Sequence, residues 1–289
     1  ATLMRFWKSA ALAIAAMAMT EACGEKAAEA PPVDAAAPAA AKGPALWKLG
    51  DADTTIYLFG TVHVLPPELV WRQPPVDKAL GESRAIYFET DLDPNPVDLL
   101  PIIQKLGMYP AGDKLSNHLK PDERTALEAA AAELQTPMAL LEQMRPWLAA
   151  VTLSERMITT AGYDVNSGVE RKLAPDAKAG GKEIRKLETV QEQLLVFADL
   201  PEEVQIRFLM DGVKEIDEES TILDDMVHAW AMGDVQKLDE IMIQEDLAEN
   251  PEIYAALLVN RNANWAKKID ELVKAETGTF FMAVGAAHL

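Results

Sequence analysis

Apolar positions fall into short β-type runs near both ends of the chain, with a long stretch of helical spacing between them. Residues 45–49 (Ala-Leu-Trp-Lys-Leu) and 55–59 (Thr-Ile-Tyr-Leu-Phe) flank a Gly50-Asp51 turn, and residues 85–89 (Ala-Ile-Tyr-Phe-Glu) close on a carboxylate. Between these runs, residues 74–80 suit a short helix that crosses back to the sheet. From 97 to 275 the pattern is mostly helical. Pro121-Asp122-Glu123 puts proline in a first turn and acids at the positive end of a helix dipole. Pro146 marks a kink or restart, because it cannot continue a helix without losing a hydrogen bond. Gly233-Asp234 and Asn250-Pro251 separate three further helices. Residues 279–284 (Thr-Phe-Phe-Met-Ala-Val) return as a strand. The pattern predicts an α+β fold: a small mixed sheet built from both chain ends, with a large helical insertion.

The two end strands share an ending. Residues 55–59 run into Gly60-Thr61-Val62-His63, and residues 279–284 run into Gly285-Ala286-Ala287-His288. The chain has four histidines, so half of them occupy this one context. Two strands of one sheet ending side by side would bring two imidazoles together, with Gly60 and Gly285 allowing close backbone approach or positive φ. Such a pair suits a divalent metal or acid–base chemistry. Glu89 ends an apolar strand, where an unpaired carboxylate is costly. It could complete a metal set with His63 and His288 or activate water; a capping or edge carboxylate is the alternative. On the last helix Leu258, Trp265, Ile269 and Leu272 mark an apolar stripe, with Asn262 on it and Arg261 beside it. Arg261 could stabilise an oxyanion or pair structurally. His118 and His228 read as structural or exposed. Met226, Trp230 and Met242 read as core or as a dimer face.

Before the first strand the chain is not core-forming. Met4-Arg5-Phe6-Trp7-Lys8 and the Ala/Met-rich residues 10–19 resemble an export signal over residues 1–23, too short to span a bilayer comfortably. Cys23, the single cysteine, follows Ala22 as in a lipoprotein signal, although Glu21 departs from that pattern. Ordinary signal cleavage is the alternative. Residues 24–45 are an Ala/Pro-rich tether without large apolar residues. The expected domain is 46–289. A strand that stops one residue past His288 suggests a natural chain that continues.

The net charge of −19 argues against nucleic acid, which needs clustered Lys and Arg. Membrane association is expected only through an N-terminal lipid anchor.

Leu58-Phe59-Gly60-Thr61-Val62-His63, Phe88-Glu89-Thr90-Asp91, Arg145-Pro146-Trp147-Leu148, Gly168-Val169-Glu170, Leu187-Glu188-Thr189-Val190, Asn260-Arg261-Asn262 and Val284-Gly285-Ala286-Ala287-His288 together resemble the TraB/GumN family. That family is related to the Tiki metalloproteases and, more distantly, to erythromycin-esterase and ChaN-like proteins. The resemblance implies a site of His63, His288, Glu89, Arg261 and Asn262, with Gly60 and Gly285 as backbone positions and manganese, cobalt or zinc as the ion. It implies a cell-envelope hydrolase, a peptidase acting on an exported peptide or protein. A non-catalytic peptide-sequestering protein and a small-molecule esterase are the alternatives. The resemblance would put the Gly168-Val169-Glu170 and Leu187-Glu188-Thr189 segments at the border of the cleft; read from the residues alone, Leu187 and Val190 pack while Glu188 and Glu192 make helix-surface pairs.

Overall fold

The computed structural model describes residues 43–216, 222–244 and 250–289. The expected export signal, Cys23 and residues 24–42 of the tether lie outside the described residues. Gly43 and Pro44 are already buried, so the folded part begins slightly before the predicted boundary. No helix among the described residues is long and apolar enough to cross a membrane.

In chain order the elements that position the site are β1 (Leu46–Gly50), β2 (Thr54–Thr61), α1 (Pro74–Glu82), β3 (Ala85–Phe88), α2 (Pro96–Gly107), α3 (Pro121–Glu133), α4 (Pro146–Thr160), α5 (Val169–Ala179), β4 (Glu183–Lys186), α6 (Val190–Ala198), α7 (Glu202–Ile216), α8 (Ile222–Met232), α9 (Asn260–Ala275) and β5 (Gly278–Gly285). The sheet order is β1-β2-β5-β3-β4. Only β1 is antiparallel to its neighbour; the pairs β2/β5, β5/β3 and β3/β4 are all parallel. The last strand therefore inserts between the second and third, as a sheet assembled from both chain ends requires.

The fifth strand corrects the reading of residues 97–275 as helical. β4 has the sequence Glu-Ile-Arg-Lys and three of its four residues are exposed. An edge strand has one partner and little buried face, so it carries no apolar alternation to read.

Both sheet faces are covered. Phe59, Ile86, Phe88, Phe281 and Ala283 pack with Trp71, Val169, Leu173 and Trp230 on one side. Ile56, Ala85, Phe280 and Met282 meet Leu272 of α9 on the other. Each fully buried large side chain contributes about 1.5–3 kcal/mol relative to exposure. Met226, Trp230 and Met242 belong to the first cluster and are buried: they are core, as the commoner reading had it. A separate apolar core among α2, α3, α4, α6 and α7 is centred on Leu115, Leu127, Trp147, Leu153 and Phe208.

The other two histidines lie apart from the sheet. His118 bridges Asp113 and Glu202 at 3.0 and 3.2 Å and stacks on Tyr109, while His228 is exposed.

Candidate functional site

All four parallel strands end at the same edge, and each delivers a polar group there. β2 continues to His63, β3 to Glu89, β4 to Glu188, and β5 to Gly285 and His288. Ligand sites of parallel sheets form outside the carboxyl ends of the strands. The register makes this edge level, with Thr61 opposite Gly285 and Phe88 opposite Ala283.

The two Gly-x-x-His segments do meet, and the glycines act through close approach. Neither has a positive φ. A Cβ on Gly285 would lie 3.1 Å from Glu89 Oε1 and 3.7 Å from His63 Nε2, and one on Gly60 would lie 3.2 Å from the Ala286 Cα. The Gly285 N–H donates to Glu89 Oε1 at 2.6 Å.

His63 is buried with Nδ1 2.8 Å from Glu170 Oε1, a close charge contact rather than a well-aligned hydrogen bond. Thr61 Oγ1 donates to the same carboxylate oxygen. Nε2 of His63 is buried and has no hydrogen-bond partner. Burial opposes the charged imidazolium, but the adjacent Glu170 carboxylate outweighs it and raises the His63 pKa. Glu170 arrives because Gly168 carries no side chain. A Cβ there would collide with the His63 carbonyl, and the Val169 N–H donates to Val62 O at 3.1 Å.

His288 sits in a single 3₁₀ turn after β5. Its Nδ1 is 2.6 Å from Asn262 Oδ1, and Asn262 Nδ2 donates to the His288 carbonyl at 3.2 Å, which fixes the amide's orientation. Arg261 Nη1 approaches Nε2 at 3.0 Å. Since guanidinium can only donate, Nε2 accepts and Nδ1 carries the proton. Burial pushes the His288 pKa down to about 3, so this ring is neutral at neutral pH.

Glu89 and Glu188 flank Arg261. Arg261 Nη2 donates to Glu89 Oε2 and to Glu188 Oε1, each at 2.6 Å, and Nε donates to Glu188 Oε2 at 3.2 Å. Trp265 Nε1 also donates to Glu188, at 3.1 Å, and the indole packs against both Arg261 and His288. Burial would raise the Glu89 pKa, but Arg261 and the two histidines hold it at about 2. Burial dominates at Glu188, whose pKa is raised despite Arg261. Gln193 of α6 completes the wall, 3.4 Å from Glu89.

Four predicted residues, His63, Glu89, Arg261 and His288, are therefore brought together, with Asn262 behind His288. The helical face was misjudged by one position. Arg261 is the buried residue, at 5% exposure, while Asn262 is only half-buried. A π turn over Ala255–Val259 shifts the phase, so Leu257, Arg261 and Trp265 form the inward stripe. Single π turns of this kind recur at functional sites.

Glu188 is not a surface partner. It is 7% exposed, and Glu192, expected to make a helix-surface pair, closes a capping box on Thr189 at the start of α6. A signal was present: Phe88-Glu89-Thr90 and Leu187-Glu188-Thr189 repeat an apolar-Glu-Thr ending on adjacent strands. The two are paired through Leu187 N to Phe88 O and Glu188 N to Glu89 O, at 3.0 and 2.8 Å.

His63, His288 and Glu89 are of the donor types that a divalent cation takes. His288 Nδ1 is engaged by Asn262 Oδ1, and His63 Nδ1 lies 2.8 Å from the Glu170 carboxylate, so each ring is backed by a polar group, as metal-bound histidines are. His63 Nε2 is buried without a hydrogen-bond partner, and the Glu89 carboxylate is ionised. Two buried carboxylates, Glu89 and Glu188, face the Arg261 guanidinium, and a third, Glu170, faces His63. As they stand, no three His, Cys, Asp or Glu side chains among the described residues are close enough to hold an ion. Arg261 occupies the space between Glu89 and His288. On the opposite side, Glu188, Arg261 and Trp265 form the floor of a cleft of about 500 Å³ with Leu195, Val196 and Leu200 in its walls.

An α+β sheet carrying two strand-end histidines and a strand-end glutamate defines the class. The chain belongs to the TraB/PrgY/gumN family, whose sequence model matches residues 45–289. It is 22% identical over 233 residues to the uncharacterized protein YbaP of Escherichia coli (strain K12), a match covering 81% of this chain and 83% of that protein. The YbaP protein of Shigella flexneri matches to the same extent. No solved structure matches the chain.

Proposed function

We propose that this chain is a cell-envelope, metal-dependent hydrolase, a peptidase acting on an exported peptide or protein. The observation that carries the reading is that Glu89 Oε1 lies 3.7 Å from His288 Nε2 and shares the close surroundings of Gly285 with His63 Nε2. His63, His288 and Glu89 would hold manganese, cobalt or zinc, which supplies Lewis acidity toward a carbonyl and acidifies bound water. With its pKa held at about 2, Glu89 suits a ligand better than a general base. Glu188 lies at the cleft floor with a raised pKa, where it is the better-placed acid or base. Arg261 presents donors to charge developing on a substrate oxygen. The Leu195, Val196 and Leu200 wall offers apolar contacts to a peptide. Export is supported by the basic, then apolar, N-terminal sequence.

A second reading, a peptide-sequestering protein without turnover, is favoured by the guanidinium already bridging Glu89 and His288. A peptide library incubated with the protein and each metal separates the two. The hydrolase reading expects metal-dependent cleavage that Glu89→Gln and His63→Ala abolish. Tight peptide binding without cleavage, unaffected by Glu89→Gln, would transfer the assignment to sequestration.

A further inference from the structure

Arg261 sits on the Nε2 of His288, an atom that a metal in the proposed site would need. Arg261 grips Glu188 at two points, Nη2 to Oε1 at 2.6 Å and Nε to Oε2 at 3.2 Å. It reaches Glu89 with Nη2 and His288 with Nη1 alone. Nη1 has a second acceptor, the Leu257 carbonyl at 3.2 Å. Its contact with His288 can therefore be given up while one Nη1 N–H stays on the Leu257 carbonyl, at the cost of the other N–H losing its acceptor.

We infer that Arg261 is a surrogate cation. It holds the Glu89 and His288 ends of the cluster together while metal is absent, and metal entry displaces only its Nη1 arm from His288. The two-point grip of Glu188, backed by Trp265 Nε1 on the same carboxylate, keeps the guanidinium in place as this happens. The inference rests on the metal-site reading above and adds that Arg261 competes with the ion. A guanidinium 3.0 Å from a ligand nitrogen blocks its lone pair and repels an incoming cation. An arginine that merely buttressed the site would favour metal binding or leave it unchanged. Trp265 reports the event, because its ring lies 4.6 Å from the Arg261 guanidinium and 4.3 Å from the His288 ring centre.

The test titrates the full chain with manganese or cobalt by calorimetry and tryptophan fluorescence, comparing wild type with Arg261→Gln, Arg261→Lys and Trp265→Phe. Both arginine variants are expected to bind the ion more tightly, Arg261→Gln by tenfold or more. Its melting temperature should also rise further on metal addition than that of wild type. Wild type should give a fluorescence change at saturation that Trp265→Phe lacks. Should Arg261→Gln fail to fold without metal, the Arg261→Lys comparison decides alone. Equal or weaker binding by the variants, with wild type still binding, would overturn the competition and leave the metal site standing. Binding by none of the chains would remove the metal reading on which the inference rests.

Discussion

His63 and His288 end matching sequence motifs on adjacent strands, yet their surroundings drive them in opposite directions. His63 backs onto a carboxylate, Glu170, and its affinity for a proton is raised. His288 backs onto a neutral amide, Asn262, with Arg261 in front, and its pKa falls to about 3. The motif places an imidazole, and the residue behind Nδ1 decides what that imidazole is. Two such rings side by side give one electron-rich and one ordinary nitrogen donor converging on Glu89.

Removing what joins the halves has the largest expected effect. Arg261→Ala strands the Glu89 and Glu188 carboxylates, both at most 7% exposed, and breaking one partner from a buried ion network costs about 3–5 kcal/mol. Urea unfolding of the metal-free protein measures it.

The glycines come next. Gly168→Ala drives a methyl into the His63 carbonyl and is expected to cost about 1–3 kcal/mol. Gly60→Ala meets the Ala286 Cα at 3.2 Å and should cost less. Equal losses would contradict the placement of α5 against His63.

The second-layer acceptors sharpen the contrast. Glu170→Ala and Asn262→Ala should each weaken manganese binding by about 10–100-fold, Glu170→Ala more because it also removes charge. Calorimetry on both variants gives the ratio.

The pH dependence is the most diagnostic. For His288, folded near 3 against an ordinary 6.5, the unfolded chain carries the proton between those values. Stability of the metal-free protein therefore falls as pH drops below about 6.5, and Glu89, near 2 against 4.5, adds a further loss below about 4.5. His63 has the opposite sign. Its pKa is raised above 6.5, so its contribution is complete in acid and lost as pH rises through the raised value. His288→Phe should flatten the acid limb, and Glu170→Gln should remove the alkaline loss, both read from unfolding free energy against pH.

Much of this was legible in the chain. The strands ending at His63, Glu89 and His288 declare themselves through apolar runs stopped by polar residues, and the α+β arrangement follows from where those runs lie. What stayed hidden was charged. β4 reads as Glu-Ile-Arg-Lys because an edge strand buries little. Glu170 and Glu188 look like surface acids because nothing local reveals that His63 and Arg261 come from more than 70 residues away to meet them. Arg261, four residues before Trp265 in one regular helix, faces inward more directly than Asn262, while the π turn before it brings Leu257 rather than Leu258 onto the stripe. Propensity reports local energies, whereas a buried ion network is stabilised by partners distant in sequence.

The central claim is that the two strand-end histidines serve one metal site, and metal stoichiometry tests it most directly. The chain is reconstituted with manganese, cobalt or zinc, desalted and analysed by mass spectrometry, alongside His63→Ala and His288→Ala. The account predicts one ion per chain in wild type and its loss in both variants. An ion that survives either substitution, or none in wild type after reconstitution, would contradict it.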